Sequence, residues 1–417
     1  MAQTPVETFI ESAADKKMSV SPNAKGRSVA ISSLGPELRQ EWSDFVQHCE
    51  EGWLNHLPEF VLNARKSGRW KDNSFYIRID QKLIAVCVIG VERDGAGLIL
   101  VGPGPAVLAE YRSKSVLALL EAEILERAKR HKCCAIRLVI HPCAPAMWRR
   151  RFVDSYLTRF KCSFGIRGIT PDYEGGYHAV SDLSRSDDEI FRDLSNGHKG
   201  NIKRCNRANL RVEQHTGPGL NADAWDDFLN VYQSTATRRG FRAVREAELG
   251  FIREKVEAGY FTLFNSYQDQ RICATILLET YKNAAYYKAA GADQKGLALG
   301  AMVHLHFEAM KALRQRGFKY YCLGPIIPMI RGTVSGDIAD FKARLGNERW
   351  DMLRGERILR RRSYYLRVLA PKLALSTMPG IRSSFVAVRK VMVRLQARVR
   401  ARAEQRDASA STRAVNG

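Results

Sequence analysis

Four basic residues, Lys199, Lys203, Arg207 and Arg211, recur every four positions in this 417-residue chain. On a helix that spacing gathers them into one stripe. Like charges so arranged repel each other, so the stripe either answers a bound anion or lies on a solvated helix face. A second candidate is Gln294-Lys295-Gly296-Leu297-Ala298-Leu299-Gly300-Ala301, between a strand-like and a helix-like run. Its small residues would let helix N-terminal amides come close to a phosphate. Metal chemistry is not expected. His304 and His306, two apart on a helical pattern, should point to different faces, and no His/Cys cluster has zinc-ligand spacing. The nine cysteines are an odd number with no CxxC pair, which predicts free thiols in a reducing cytoplasm.

The elements that must position these groups occur twice. Glu41-Trp42-Ser43-Asp44-Phe45-Val46 is echoed by Ala224-Trp225-Asp226-Asp227-Phe228-Leu229, each opening an amphipathic helical pattern. A hairpin follows in each half: 75–80 and 83–91 around Gln81-Lys82, then 261–267 and 272–280 around Gln268-Asp269-Gln270. A third strand, 98–101 or 285–289, leads to a long helix, 113–131 or 297–317. A short apolar strand closes each half, 135–140 or 320–323. The offset stays near 185, which argues for duplication. Pro142, Pro145 and the Gly-rich 165–176 mark the junction. The order fits an α/β (α+β) chain of two tandem units, each a mixed, mostly antiparallel sheet flanked by helices. The expected boundaries are a flexible leader 1–28, a first unit 29–170, a second unit 171–354 and a basic, partly helical tail 355–417.

Gly317-Phe318-Lys319-Tyr320-Tyr321-Cys322-Leu323-Gly324, followed by Asp340-Phe341-Lys342-Ala343-Arg344-Leu345-Gly346, resembles the motifs of the FemAB-like aminoacyl- and acyltransferases. These belong to a tandem branch of the GNAT superfamily that includes CelD-like acetyltransferases. The family shows G-x-x-x-x-D-L-G, a variable loop, then F-K-x-x-F-G, and a basic stretch like 199–207. The GNAT coenzyme A loop, Q/R-x-x-G-x-G/A, aligns with Lys295, Ala298 and Gly300. The resemblance covers about residues 42–354. It implies acyl transfer, often of an amino acid from aminoacyl-tRNA, to an amine of a cell-wall precursor. That reaction needs a neutral amine, oxyanion stabilisation and a path for the proton.

The resemblance makes Lys342, after Phe341, the cation near the reacting group. It puts Tyr287 and Lys288 on the strand lining the acyl pocket, Asp337 and Asp340 among possible proton acceptors, and Arg331 in the phosphate loop. Lys199, Lys203, Arg207, Lys295 and Gly300 complete the substrate- and phosphate-binding set. Two positions depart from the pattern. Cys322 replaces the acidic residue, which removes a carboxylate from that strand end, and Leu345 replaces an aromatic, a volume-conserving change. The first unit has no Phe-Lys motif, and its Gly102-Pro103-Gly104-Pro105 is read as replacing the loop before the helix. It is therefore expected to support the second unit or bind the acceptor.

The formal charge is +22, and residues 351–417 hold 16 Lys or Arg against 4 Asp or Glu, a net +12. More than half of the excess thus lies in the tail, which favours RNA or an anionic membrane surface. Phe385, Val388, Met392, Leu395 and Val399 form an apolar helical stripe among arginines, fit for an interfacial helix or one docked on the body. No apolar run is long enough to span a membrane, and residues 1–25 lack a secretory apolar core. The expectation is a cytoplasmic acyltransferase whose tail reaches the inner face of the membrane. No cofactor is tightly bound, the donor is aminoacyl-tRNA or acyl-CoA, and the acceptor is an envelope precursor. Two other readings stand beside it: an acyl-CoA-dependent N-acetyltransferase of polysaccharide or small-molecule amines, and a non-catalytic RNA- or membrane-binding protein.

Overall fold

A computed structural model of the chain describes residues 18–20, 28–66, 70–94, 97–139, 177–240, 243–244, 246–326, 334–351 and 354–366. The first unit runs β1 (Met18–Val20), β2 (Val29–Ser33), α1 (Arg39–His48), α2 (Pro58–Lys66), β3 (Lys71–Asp72), β4 (Phe75–Ile79), β5 (Lys82–Asp94), β6 (Gly97–Val107), α3 (Lys114–Arg130) and β7 (Ala135–Val139). The second runs β8 (Tyr177–Asp182), α4 (Asp187–Asp193), α5 (Asn196–Arg207), β9 (Arg211–His215), α6 (Ala222–Arg239), α7 (Glu246–Glu257), β10 (Phe261–Gln268), β11 (Arg271–Tyr281), β12 (Ala284–Ala292), α8 (Gln294–Leu299), α9 (Ala301–Gln315), β13 (Tyr320–Ile326), α10 (Val334–Leu345) and β14 (Glu348–Asp351). β15 (Arg354–Ile358) and α11 (Arg361–Tyr364) follow.

The expected elements form, and for the expected reasons. Asp80 and Gln81 both have positive φ, 50° and 68°, and join Ile79 to Lys82 in a tight turn suited to strand twist. That turn sits one residue earlier than the sequence suggested. Ser113 caps α3 by accepting from the Val116 amide at 3.4 Å. Val116, Leu120, Ile124 and Ala128, four apart, are buried against the first sheet. The leader is not wholly outside the fold, since Met18–Val20 pairs with Val29–Ile31.

Both sheets have one parallel join, β6 to β7 and β12 to β13, and are otherwise antiparallel. β8, which follows the first unit in the chain, pairs with β13 of the second sheet. β15, which follows the second unit, takes the matching place beside β7 of the first. The exchange carries the first fold past the expected boundary at 354. A buried Glu356 explains why it holds: Arg137 Nη2 meets its Oε1 at 2.7 Å, and the Tyr364 hydroxyl donates to its other oxygen. A buried carboxylate left without such partners would be strongly destabilising.

A shared core joins the units, with Trp42, Phe45 and Trp53 from one side and Trp225, Phe228 and Phe261 from the other. Lys282 Nζ donates to the carbonyls of Cys49 and Gly52 at 2.5 and 3.1 Å, tying the second hairpin to the first unit.

Three expectations change. The helix over 297–317 is two helices, broken at Gly300, whose φ of +78° is left-handed. Gly102–Pro105 is not a loop before α3 but lies within β6. Arg211 leaves the basic stripe because α5 ends at Arg207, and Arg211 starts β9 and pairs with Glu213. Pro142, Pro145, 165–176, Arg331 and the apolar stripe from Phe385 to Val399 lie outside the described residues, as do the side chains of Asp337 and most of the basic tail.

Candidate functional site

The parallel strands β12 and β13 pair only at Ala284–Tyr320, Ala285–Tyr321 and Tyr286–Cys322, then diverge. A cavity of about 440 Å³ lies beside the outer half of β12, between α6, the α8–α9 junction and α10. Register shifts along β12: Leu277 faces Ala289, while Leu278 faces Tyr287. Lys288 is therefore an extra residue, a bulge that leaves it without a cross-strand partner at the cavity wall. Its side chain turns to Glu279 at 2.7 Å.

Lys342 enters the same cavity from α10. Its Nζ stands 5.2 Å from the centre of the Tyr287 ring. A Cβ added to Gly324 would lie 3.1 Å from that nitrogen, and the backbone there has φ +86°. The left-handed turn thus favours glycine at the end of the motif, and a side chain there would also crowd the ammonium. Burial lowers the pKa of Lys342, with Cys322 opposing the shift. Burial likewise pushes the Tyr287 hydroxyl up, so it stays protonated.

Phe341 lines the cavity and packs on His198 and His306, ring centres 5.9 and 5.5 Å apart. His306 is fully buried; its Nδ1 lies 2.6 Å from the Tyr321 hydroxyl, and its Nε2 has no partner among the described residues. Burial, then the Lys342 charge, depresses its pKa to about 3. The sequence reading weighed this histidine only as a metal ligand. No group of metal-binding side chains occurs among the described residues, and His304 and His306 are both buried.

The other sequence candidates divide. Gly300 lines the cavity. As the N-cap of α9 it has no side chain with which to cap the first amides of that helix. Lys295 is exposed on α8, outside the lining. Asp340 is exposed too, because Ile338, Phe341 and Lys342 share the cavity face of α10 and residue 340 falls on the opposite side. Cys322 is buried in the core between the units and brings no carboxylate to the strand end. Leu345 is buried in the second core. No disulfide joins any of the seven described cysteines.

Lys199, Lys203 and Arg207 lie on α5 and do not line the cavity. They make no ion pair among the described residues. Their helix nevertheless packs on α8, which contributes Gly296 and Leu297 to the cavity wall, through Arg204 Nη1 to the Ala298 carbonyl at 2.9 Å and Cys205 Sγ to that of Leu299 at 3.4 Å. The repeat missed Arg238 and Arg239 at the end of α6, which line the cavity; Arg238 Nη2 donates to the Ala292 carbonyl at 2.9 Å. With Lys288 and Lys342 they make its charged lining wholly basic, for no Asp or Glu is among the described lining residues.

The first unit repeats the geometry without the chemistry. Val88 faces Gly104 and Gly90 faces Val101, a bulge at the corresponding point of β6. At an offset of 185, Pro103 stands where Lys288 does, and proline has no N–H to offer.

Residues 195–343 match a family model described as an acetyltransferase (GNAT) domain, which spans α5 to α10. FemX has the same fold over 81% of this chain and 99% of its own, at TM-score 0.63 and 15% identity. L-PGS from Bacillus licheniformis aligns over 83% and 98%, at TM-score 0.52 and 13% identity. No curated protein matches the sequence. Residues 195–343 thus form a GNAT-type acyltransferase domain, in a chain that shares the fold of FemX. No helix among the described residues is long and apolar enough to cross a membrane.

Proposed function

We propose that the chain moves an aminoacyl or acyl group from an anionic carrier to an amine of a cell-envelope precursor, a peptidoglycan or polysaccharide unit. One observation carries the chemistry: the bulge at Lys288 and the Lys342 ammonium meet one cavity. The acceptor nitrogen attacks the acyl carbon, and the carbonyl oxygen gains negative charge. Backbone N–H at the bulge and the ammonium of Lys342 stabilise that charge as donors fixed in place before the reaction. Collapse expels the carrier's oxygen or sulfur, which takes the proton of the neutral Tyr287 hydroxyl, and the nitrogen passes its own proton to that phenol oxygen, so Tyr287 ends as it began.

An anionic carrier suits the basic lining. Aminoacyl-tRNA is favoured over a small carrier because the exposed Lys203 and Arg207 extend the positive surface past the mouth along α5. The resemblance of the 317–324 and 340–346 motifs to the FemAB-like family supports placing the acceptor in the envelope. The basic tail supplies a peripheral contact with tRNA or with the inner membrane face. A second reading, acyl-CoA as donor, rests on the uncapped start of α9 at the cavity, a place for a pyrophosphate. Charged tRNA and acyl-CoA esters, each titrated against the full chain, distinguish them. Saturable tRNA binding that weakens steeply with salt and is lost in a Lys203→Ala/Arg207→Ala double variant supports the first. Turnover of acyl-CoA indifferent to tRNA establishes the second.

A further inference from the structure

One face of the first unit is charged in a way that the acyl chemistry does not use. α3 finishes at Arg130, and Lys132, with φ +55°, turns the chain towards β7. β15 and α11 return against that turn: the Leu359 and Arg360 amides both donate to the Cys134 carbonyl, at 2.8 and 3.0 Å. Arg360 stands close enough to the Cys133 thiol for its charge to oppose the rise that burial imposes there. Lys129, Arg130 and Lys132 on one side, and Arg360, Arg361 and Arg362 on the other, are all exposed. None of the six makes an ion pair among the described residues. Glu126 is the exposed acid on the last two turns of α3. Like charges gathered in this way repel one another, and an anionic surface laid over them relieves the repulsion.

Apolar groups lie beside the cations. Among the described residues four large apolar side chains are exposed, and two of them, Leu297 and Ile338, line the first cavity. The other two are Tyr365, 43% exposed, and Leu366, 72% exposed, directly after Arg360–Arg362. Their place is fixed by Tyr364, which is fully buried with Ile99, Cys134 and Ala135 and so pins α11 to the first unit.

We propose that this face, residues 129–132 with 360–366, docks the chain on an anionic phospholipid bilayer. The inference goes beyond the acyl transfer proposed above, and it places membrane contact on the folded first unit and not on the basic tail alone. Headgroup phosphates answer the six cations, and the interfacial layer beneath them takes an apolar chain and an amphipathic ring. RNA fits less well. Its phosphates would meet the cations and a base could stack on Tyr365, but Leu366 would stay in water. Each signal needs the other, since charge alone is screened by salt and two apolar side chains alone bind weakly. The first unit, with Pro103 where the second has Lys288, thereby has a task of its own: it holds the second at the membrane.

Vesicles of phosphatidylcholine, alone or with about one third phosphatidylglycerol, are the probe, sedimented with the full chain without donor or acceptor. Binding at least tenfold tighter to the anionic vesicles is expected, and it should weaken as salt rises. Lys129→Gln/Arg130→Gln/Lys132→Gln should weaken it at least fivefold. Lys199→Gln/Lys203→Gln/Arg207→Gln removes as much charge from α5 and should change it little. Tyr365→Ser/Leu366→Ser should weaken it at least threefold, with the fold of each variant read by Tm. No preference for anionic vesicles, a loss at 129–132 no greater than the loss at α5, or unchanged affinity in a folded Tyr365→Ser/Leu366→Ser protein overturns the assignment. So does tRNA bound through Lys129, Arg130 and Lys132 by a chain that ignores the vesicles. Sedimentation reads no chemistry, so its failure leaves the acyl-transfer reading standing, and failure to find transfer leaves a positive result here intact.

Discussion

The Lys342 ammonium closes on Gly324: a Cβ added at residue 324 would lie 3.1 Å from its Nζ, tight enough that the ammonium would have to shift. The two motifs that the sequence shows 18 positions apart are therefore two halves of one contact. Gly324→Ala tests it. The added methyl strains a left-handed backbone, at about 1–3 kcal/mol, and displaces the ammonium. The Tm should fall, and kcat should fall further than the lost stability explains. A folded Gly324→Ala protein with unchanged kcat would dissociate the glycine from the site.

Burial lowers the pKa of Lys342, so its charge is lost below the ordinary lysine range. If the cation stabilises the transition state, the rate must fall as pH rises through that lowered value. The alkaline limb of the kcat profile should vanish in Lys342→Ala. A limb that survives the substitution belongs to another group.

Lys288 separates backbone from side chain. Lys288→Ala keeps the amide and should change kcat little, whereas Lys288→Pro removes the N–H and copies Pro103 of the first unit. Loss of one oxyanion donor is typically worth about 3 kcal/mol, on the order of a hundredfold in kcat. Equal effects of the two substitutions, with both proteins folded, would assign the contribution to the side chain.

His306 sets an acid limit on stability. Its folded pKa, about 3, is below the ordinary 6.5, so the unfolded chain binds the proton first. Its contribution is fully present above pH 6.5 and is lost as pH falls towards the folded value, at up to about 1.4 kcal/mol per unit. Thermal unfolding of His306→Gln should show a flatter loss of Tm between pH 6 and 4 than the parent. Parallel curves would remove His306 as the cause.

The repeat, the hairpins and the long helices were legible because each rests on local periodicity and turn chemistry. Phe341 and Lys342 were legible as a motif. Arg238 and Arg239 were not, since they sit at the end of a helix whose pattern reports only its buried face. The bulge at Lys288 is a matter of register, set by which strand residues face each other across the sheet, and no run of residue types announces it. Gly102–Pro105 was misplaced for the same reason: glycine and proline signal a break, and here the break is a bulge inside a strand. The exchange of β8 and β15 joins residues far apart in the chain, which short-range pattern cannot show.

The central claim is that Lys342 acts on the transition state. Steady-state kinetics of Lys342→Ala, with the donor that the binding titrations select and an amine acceptor, test it most directly. A kcat lower by about a hundredfold with KM little changed is the expected result, and Lys342→Arg should recover little, since a planar fork does not fit the place of a compact ammonium beside Gly324. A raised KM with kcat intact, or unaltered kinetics in a folded protein, would contradict the account.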